Sequence, residues 1–213
     1  MKILKAIAIL VFLALAGCAW EDDGDDSTII VQTLSDPGAD GDIGFLSDPQ
    51  PAGTYIISQA SDTGDVQFGI DVDGTEYRAF VDFPLDGSNG GGVVPVGATI
   101  LSAVIEVFVN NVDLASTVPT LIDLVPFPIT GLSVTDFDSE PIVTRSPMDF
   151  FRSDIDSYVR IDVTSLMEEA QHQGVQDLQL RFLLDFVDGA SGLVVIEDGG
   201  SSSMAPQLTV EFQ

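Results

Sequence analysis

Residues Ala98 to Asn110 (ATILSAVIEVFVN) alternate with a period of two, and one of the two sets, Leu101, Ala103, Ile105, Val107 and Val109, is wholly apolar. Successive side chains of a β-strand point to opposite faces, so this pattern predicts a long strand with one face in a core. Tyr77 to Leu85 (YRAFVDFPL) repeats it, with Ala79, Val81 and Phe83 on one face and Arg78, Phe80 and Asp82 on the other. Shorter runs at Ser27–Leu34, Pro119–Phe127, Tyr158–Val163, Asp177–Phe186, Leu193–Glu197 and Gln207–Phe212 extend the series to about nine strands. Turn residues separate them, which predicts an all-β, two-sheet, jelly-roll-like sandwich.

Two stretches read as loops: Ser35 to Gly53, where Asp, Gly and Pro outweigh scattered apolar residues, and Gly87 to Gly92 (GSNGGG). One short helix interrupts the strands. Ser165 and Glu168 have capping-box spacing, Leu166, Met167 and Ala170 form an apolar stripe, and Gly174 supplies a stop. No internal repeat breaks the chain after Thr28, so 28–213 reads as one domain, of a size able to bury about 70% of its unfolded surface.

Four segments carry a family resemblance: YRAFVDFPL (77–85), VPVGATILSAVIEVFV (94–109), VRIDVTSLMEEAQHQGVQDLQLRF (159–182) and APQLTVEF (205–212). In this order they resemble the DNRLRE-type domains and the carbohydrate-binding modules grouped with them, which are secreted jelly-roll sandwiches. The Pro-x-Gly-Ala turn, the Asp-Val-Thr-Ser-Leu helix entry and the closing Pro-x-Leu-x-Val strand carry it. The string that names the family is absent, as is the Trp common in its middle strands; Trp20 is the only one. The resemblance implies a non-catalytic module with extracellular carbohydrate as its ligand.

The first seventeen residues carry a different signal. Lys2 and Lys5 precede an unbroken apolar run, Ala6 to Ala16, too short to span a bilayer comfortably as a permanent helix. Leu15-Ala16-Gly17-Cys18 closes it and resembles the lipobox of bacterial lipoproteins. That resemblance implies cleavage after Gly17 and a diacylglycerol thioether on Cys18, the only cysteine. Two or more acyl chains, at about 0.8 kcal/mol per buried CH₂, hold a protein stably on a membrane. Ala19 at the next position resembles the class sent to the outer membrane in Gram-negative hosts; in a Gram-positive host the same anchor faces outward from the cytoplasmic membrane. Residues 18–27, with the run EDDGDD at 21–26, read as the lipidated Cys and an acidic tether.

Both lysines fall in the leader, so the expected mature chain sets five arginines (Arg78, Arg145, Arg152, Arg160, Arg181) against 34 carboxylates, a formal −29. Such a field excludes nucleic acid as a partner and disfavours polyanionic glycans. Extracellular polysaccharide and other envelope proteins are the partners left, and a structural envelope or fibre subunit is the competing function class.

Calcium is the candidate cofactor, because it takes six to eight oxygen ligands of the kind acidic loops present. Asp36, Asp40 and Asp42 share one Gly-containing loop; Asp71, Asp73 and Glu76 surround a turn; Asp136, Asp138 and Glu140 form a third group. None has EF-hand spacing. For a glycan, the aromatic platform falls to Tyr55, which lies near loops, since Tyr77 and Tyr158 begin predicted strands. His172 is the lone histidine, on a polar stretch, and neither G-x-S-x-G nor H-E-x-x-H occurs, which points away from an enzyme. Arg78 and Arg181 lie in apolar strands and are expected to pair with nearby carboxylates, with Asp82 and Asp185 at hand in the same strands.

We expect Cys18→Ala to move the protein from the membrane fraction to the soluble fraction. Retention of that variant in the membrane pellet refutes the anchor.

Overall fold

The computed structural model describes residues 27–47, 53–185, 191–199 and 204–213. The expected leader, Cys18, Trp20 and the tether up to Asp26 lie outside the described residues. The described chain is an all-β sandwich. Its strands are β1 (Ile29–Leu34), β2 (Gly41–Leu46), β3 (Thr54–Gln59), β4 (Asp65–Ile70), β5 (Glu76–Pro84), β6 (Ile100–Asp113), β7 (Thr117–Leu124), β8 (Val143–Phe151), β9 (Ser157–Asp162), β10 (Asp177–Leu184), β11 (Leu193–Glu197) and β12 (Gln207–Phe212). One turn of helix, α1 (Ala60–Thr63), and the longer α2 (Thr164–Gln173) complete it.

Every strand pairing is antiparallel, and hydrogen bonding runs continuously through β1-β12-β6-β11-β4-β5-β10-β7-β8. β2 joins β3 to β5, and β9 attaches to β6. Ladders of β6 and β5 with different neighbours along their length fold this sheet over a single main core. Phe68, Phe83, Ile105, Ile122, Phe150, Ile161 and Phe182 fill it, all fully buried. Leu166, Met167 and Ala170 of α2 enter the same core, so the expected apolar stripe does the packing assigned to it.

β5 follows its sequence pattern closely. Ala79, Val81 and Phe83 enter the main core, and Phe80 points the other way into a second, smaller core with Ile43, Val125, Phe127 and Phe137. β6 follows it with two corrections. Its register against β12 slips between Glu211 and Phe212, so Ile100 takes the buried place expected for Leu101, which is 43% exposed. A second slip against β11 leaves Asn110 extra and puts Val112 in the core after Val109. A bulge adds one residue on one strand, which reverses the facing of everything beyond it.

β2 lies inside the segment expected to be a loop, and glycine is the reason it was hidden. A Cβ on Gly41 would sit 2.2 Å from the Ser58 carbonyl oxygen, and one on Gly44 would sit 2.6 Å from the Tyr77 ring. The glycines are present because β3 and β5 crowd β2 from both sides, yet glycine is what strand patterns lack. β8 carries Pro147, tolerated because β8 is an edge strand bonded only to β7. Twelve strands replace the expected nine among the described residues. The capping box is also corrected: Ser165 lies inside α2, and Asp162 caps it instead, its Oδ1 accepting from Thr164 N (2.9 Å) and Thr164 Oγ1 (2.7 Å). Gly174 ends the helix at φ 67° as expected.

Phe68→Ala tests the main core. The ring is fully buried, with centroids 5.3 Å from Phe150 and 5.4 Å from Phe182. Truncating such a ring costs about 3–5 kcal/mol. In a domain of this size the melting temperature should fall by roughly 10 °C, and a calorimetric shift of only a degree or two would show that the ring carries no core weight.

Candidate functional site

Residues of β6 that alternate with its core set form an outer face, shared with β9 on one side and β12 and β1 on the other. In register, Phe108 lies opposite Tyr158, Glu106 opposite Arg160 and Gln207, and Val104 opposite Thr209, which in turn faces Gln32. The Phe108 and Tyr158 rings meet edge to face at 5.2 Å, and Tyr158 is 51% exposed on a strand whose only partner is β6. Arg160 Nη1 lies 2.7 Å from Glu106 Oε1. Gln32 Nε2 donates to Thr209 Oγ1 (3.3 Å) and Asn110 Nδ2 to Glu197 Oε2 (2.7 Å). Core packing of the inward set turns these side chains outward, in rows across the paired strands. An exposed aromatic ring among amides, hydroxyls and a paired carboxylate can stack on an apolar ring face and hydrogen-bond the hydroxyls around it.

Tyr55, the expected platform, sits on β3 and is half-buried. Its ring centroid is 4.8 Å from Phe45 and 5.7 Å from Phe137, so it closes the second core. Tyr77 is half-buried at the start of its strand region. The exposed tyrosine is Tyr158, which the sequence passes over as a platform because it begins a predicted strand. His172 is exposed, 3.7 Å from Glu169.

Arg78 finds a carboxylate in its own strand, as expected, though Glu76 in place of Asp82, and Arg181 finds its partner on β7. Arg181 is buried, and its Nε and Nη2 donate to Asp123 Oδ2 at 3.0 and 2.6 Å. Its Nη1 donates to the carbonyls of Asp136, Phe137 and Ser139. Arg78 pairs with Glu76 and Asp138, donates to the Phe137 carbonyl, and lies 3.9 Å above the Phe137 ring. Asp82 instead accepts from Gln179 Nε2 at 2.9 Å.

Among the described residues none of the three expected calcium groups is drawn together. Asp71 Oδ1 accepts from Asp73 N and Thr75 N within its own turn, and Glu76 is taken by Arg78. In the third group, Asp136 caps Ser133 and Asp138 meets Arg78. Asp36 Oδ1 accepts from Gly38 N, while Asp40 and Asp42 are buried apart from it. Among the described residues no three Asp, Glu, His or Cys side chains converge as metal ligands.

What Asp40 and Asp42 join is a carboxylate network at one end of the sandwich. Burial, then the charge of Asp65, pushes Asp42 up to about 7, against donors from Gln67 and Ser58. Burial pushes Asp82 up to about 7 as well, with Asp177, Asp36 and Asp86 adding to it and the Gln179 donor opposing. Asp198 rises to about 6 through burial and the charges of Glu197 and Asp36. Asp40, beside Asp198, is held well above the carboxylate range by burial first and by Asp198 second. The charges that raise these groups are other carboxylates.

A search of protein-family models found no match to the chain, and a search of curated proteins found none either.

The network sets the pH dependence of stability. Asp42 and Asp82 bind protons more tightly folded, at about 7, than their ordinary 3.8, so the native state carries more protons between those values. Stability is then full below the ordinary value and falls as pH rises through 7. At constant ionic strength, calorimetry should give a higher melting temperature at pH 5 than at pH 8; the opposite order contradicts the protonated network.

Proposed function

We propose that this chain is an exported, lipid-anchored and non-catalytic cell-surface module, on the outer membrane in a Gram-negative host. Its ligand is an extracellular polysaccharide, taken on the outer face of β9, β6, β12 and β1. The observation that carries the reading is the half-exposed Tyr158 braced edge-on by Phe108 at the margin of a polar sheet face. A tyrosine supported from behind keeps its ring in place without ligand, so stacking sacrifices little side-chain freedom on binding. Glu106 already neutralises Arg160. With the negative field of the whole chain, that favours an uncharged glycan over a polyanionic one. The β-sandwich is compatible with this use, and the dense hydroxyls, amides and carboxylates of the face supply the hydrogen bonds that orient a sugar.

A second reading, a subunit of an envelope or fibre assembly, rests on β3. Its sequence TYIISQ has no charge, it pairs among the described residues with β2 alone, and Ile56 and Ile57 are exposed. Uncharged apolar edges of this kind accept a further strand. Size-exclusion chromatography with and without calcium detects such assembly, which in the absence of glycan binding favours this second reading.

Affinity electrophoresis through gels containing neutral polysaccharides tests the first. Loss of a stacked ring, at about 0.5–1.5 kcal/mol, should make Tyr158→Ala bind up to roughly tenfold more weakly. Tyr158→Phe should keep most of the retardation. Equal retardation of wild type and Tyr158→Ala removes this face as the site.

A further inference from the structure

Asp40 directly precedes β2 and Asp198 directly follows β11, and both side chains are fully buried. Each carboxyl has one oxygen engaged by a donor. Asp40 Oδ1 accepts from Asp82 N at 2.5 Å, and Asp198 Oδ1 accepts from Ser35 Oγ at 2.7 Å. The remaining oxygens, Asp40 Oδ2 and Asp198 Oδ2, have no donor from the protein. Asp82 N holds Asp40 while Asp36 N donates to the Asp82 carbonyl and Ser35 holds Asp198, so the two buried carboxyl groups share one neighbourhood and act on each other side chain to side chain. Two acceptors can hydrogen-bond each other directly only with a proton between them.

We propose that Asp40 and Asp198 hold one proton in common and form an acid-closed latch, tying the β1–β2 connection to the end of β11. The groups that face the pair from neighbouring elements are Asp82 on β5, Asp36 in the β1–β2 connection and Glu197 on β11, and all of them are acids. With both members ionised, their repulsion in this buried place has no nearby positive charge to offset it. A divalent cation is the other way to join two carboxylates, but calcium takes six to eight oxygens, and among the described residues the only other buried carboxylate oxygen left unengaged is Asp42 Oδ1. A proton needs two.

The latch sits where several connections meet. Ser35 N donates to the Pro206 carbonyl, Asp36 N to that of Asp82, Ala60 N to that of Asp40, and Asp198 N to that of Gly64. These bonds gather the ends of β1, β5 and β11 and the starts of β2, β4 and β12. The shared proton therefore closes one end of the sandwich, and its loss at higher pH loosens the β1–β2 connection there. This rests on the burial of the pair and its two unengaged oxygens, and stands or falls separately from the glycan reading.

Asp40→Asn discriminates between the occupants. The new carboxamide oxygen still accepts from Asp82 N, and its NH₂ donates to Asp198 Oδ2 at every pH. In the full chain, purified in detergent, this variant should melt several degrees above wild type at pH 8, with a smaller fall between pH 5 and pH 8. Slopes from Asp42 and Asp82 remain. A carboxyl ¹³C titration of the wild type should show the pair losing its protons in two separated steps, the later one absent from Asp40→Asn. The proposal is overturned if both carboxyls titrate together in the ordinary range near 4. It is overturned equally if calcium chloride raises the wild-type melting temperature while Asp40→Asn lowers it at both pH values, since the pair would then be holding a cation. Should Asp40→Asn fail to fold, the wild-type titration alone decides.

Discussion

Positive charge is the scarce material in this molecule, and its placement organises the rest. Five arginines face 34 carboxylates. Arg181 is the one placed deep inside. It spends its fork on Asp123 of β7 and gathers the carbonyls of Asp136, Phe137 and Ser139, which pins the segment that brings Phe137 to the second core. A guanidinium presents a planar fork of five donors, so one side chain can fix a strand pair and a connecting segment together. Removing one partner of a buried ion pair leaves an uncompensated charge, which makes this junction far more costly to break than any surface pair.

The buried carboxylates Asp40, Asp42, Asp82 and Asp198 have no arginine to share. They are accommodated by backbone amides, by the Gln179 amide, by Ser35, and by protons. That is why their affinities for protons climb, and why the fold should favour mild acid although most acidic proteins gain from ionisation. Charge on the outside is handled differently. On the β9–β6–β12–β1 face Glu106 and Arg160 neutralise each other across two strands, leaving a locally balanced surface beside Tyr158. A candidate binding face and a proton-holding end thus follow from the same shortage.

Particular residues show where sequence reading stops. The alternation in β5 was legible down to Phe80 facing opposite to Val81, because pleating alone imposes it. β6 was legible except at Leu101 and after Asn110, because a bulge depends on the register of a neighbouring strand. β2 was illegible: its glycines answer to the Ser58 carbonyl and the Tyr77 ring, atoms that no local window contains. Tyr55 and Tyr158 exchanged their expected roles for a similar reason. Tyr158 follows the alternation of β9 whereas β3 shows none, and burial was decided by Phe45 and Phe137 arriving over Tyr55 and by β9 being an edge for Tyr158.

The sequence by itself determined the all-β class, most strand positions, the α2 stripe with its Gly174 stop, and the imbalance of charge. These are properties of periodicity and counting, and each is written within a few residues. Only the tertiary structure decided which carboxylates meet, which arginine is buried and which aromatic ring faces water. Those outcomes depend on contacts between strands far apart in the chain: Asp40 and Asp198 are separated by most of the domain, and nothing local to either one says that the other will lie against it.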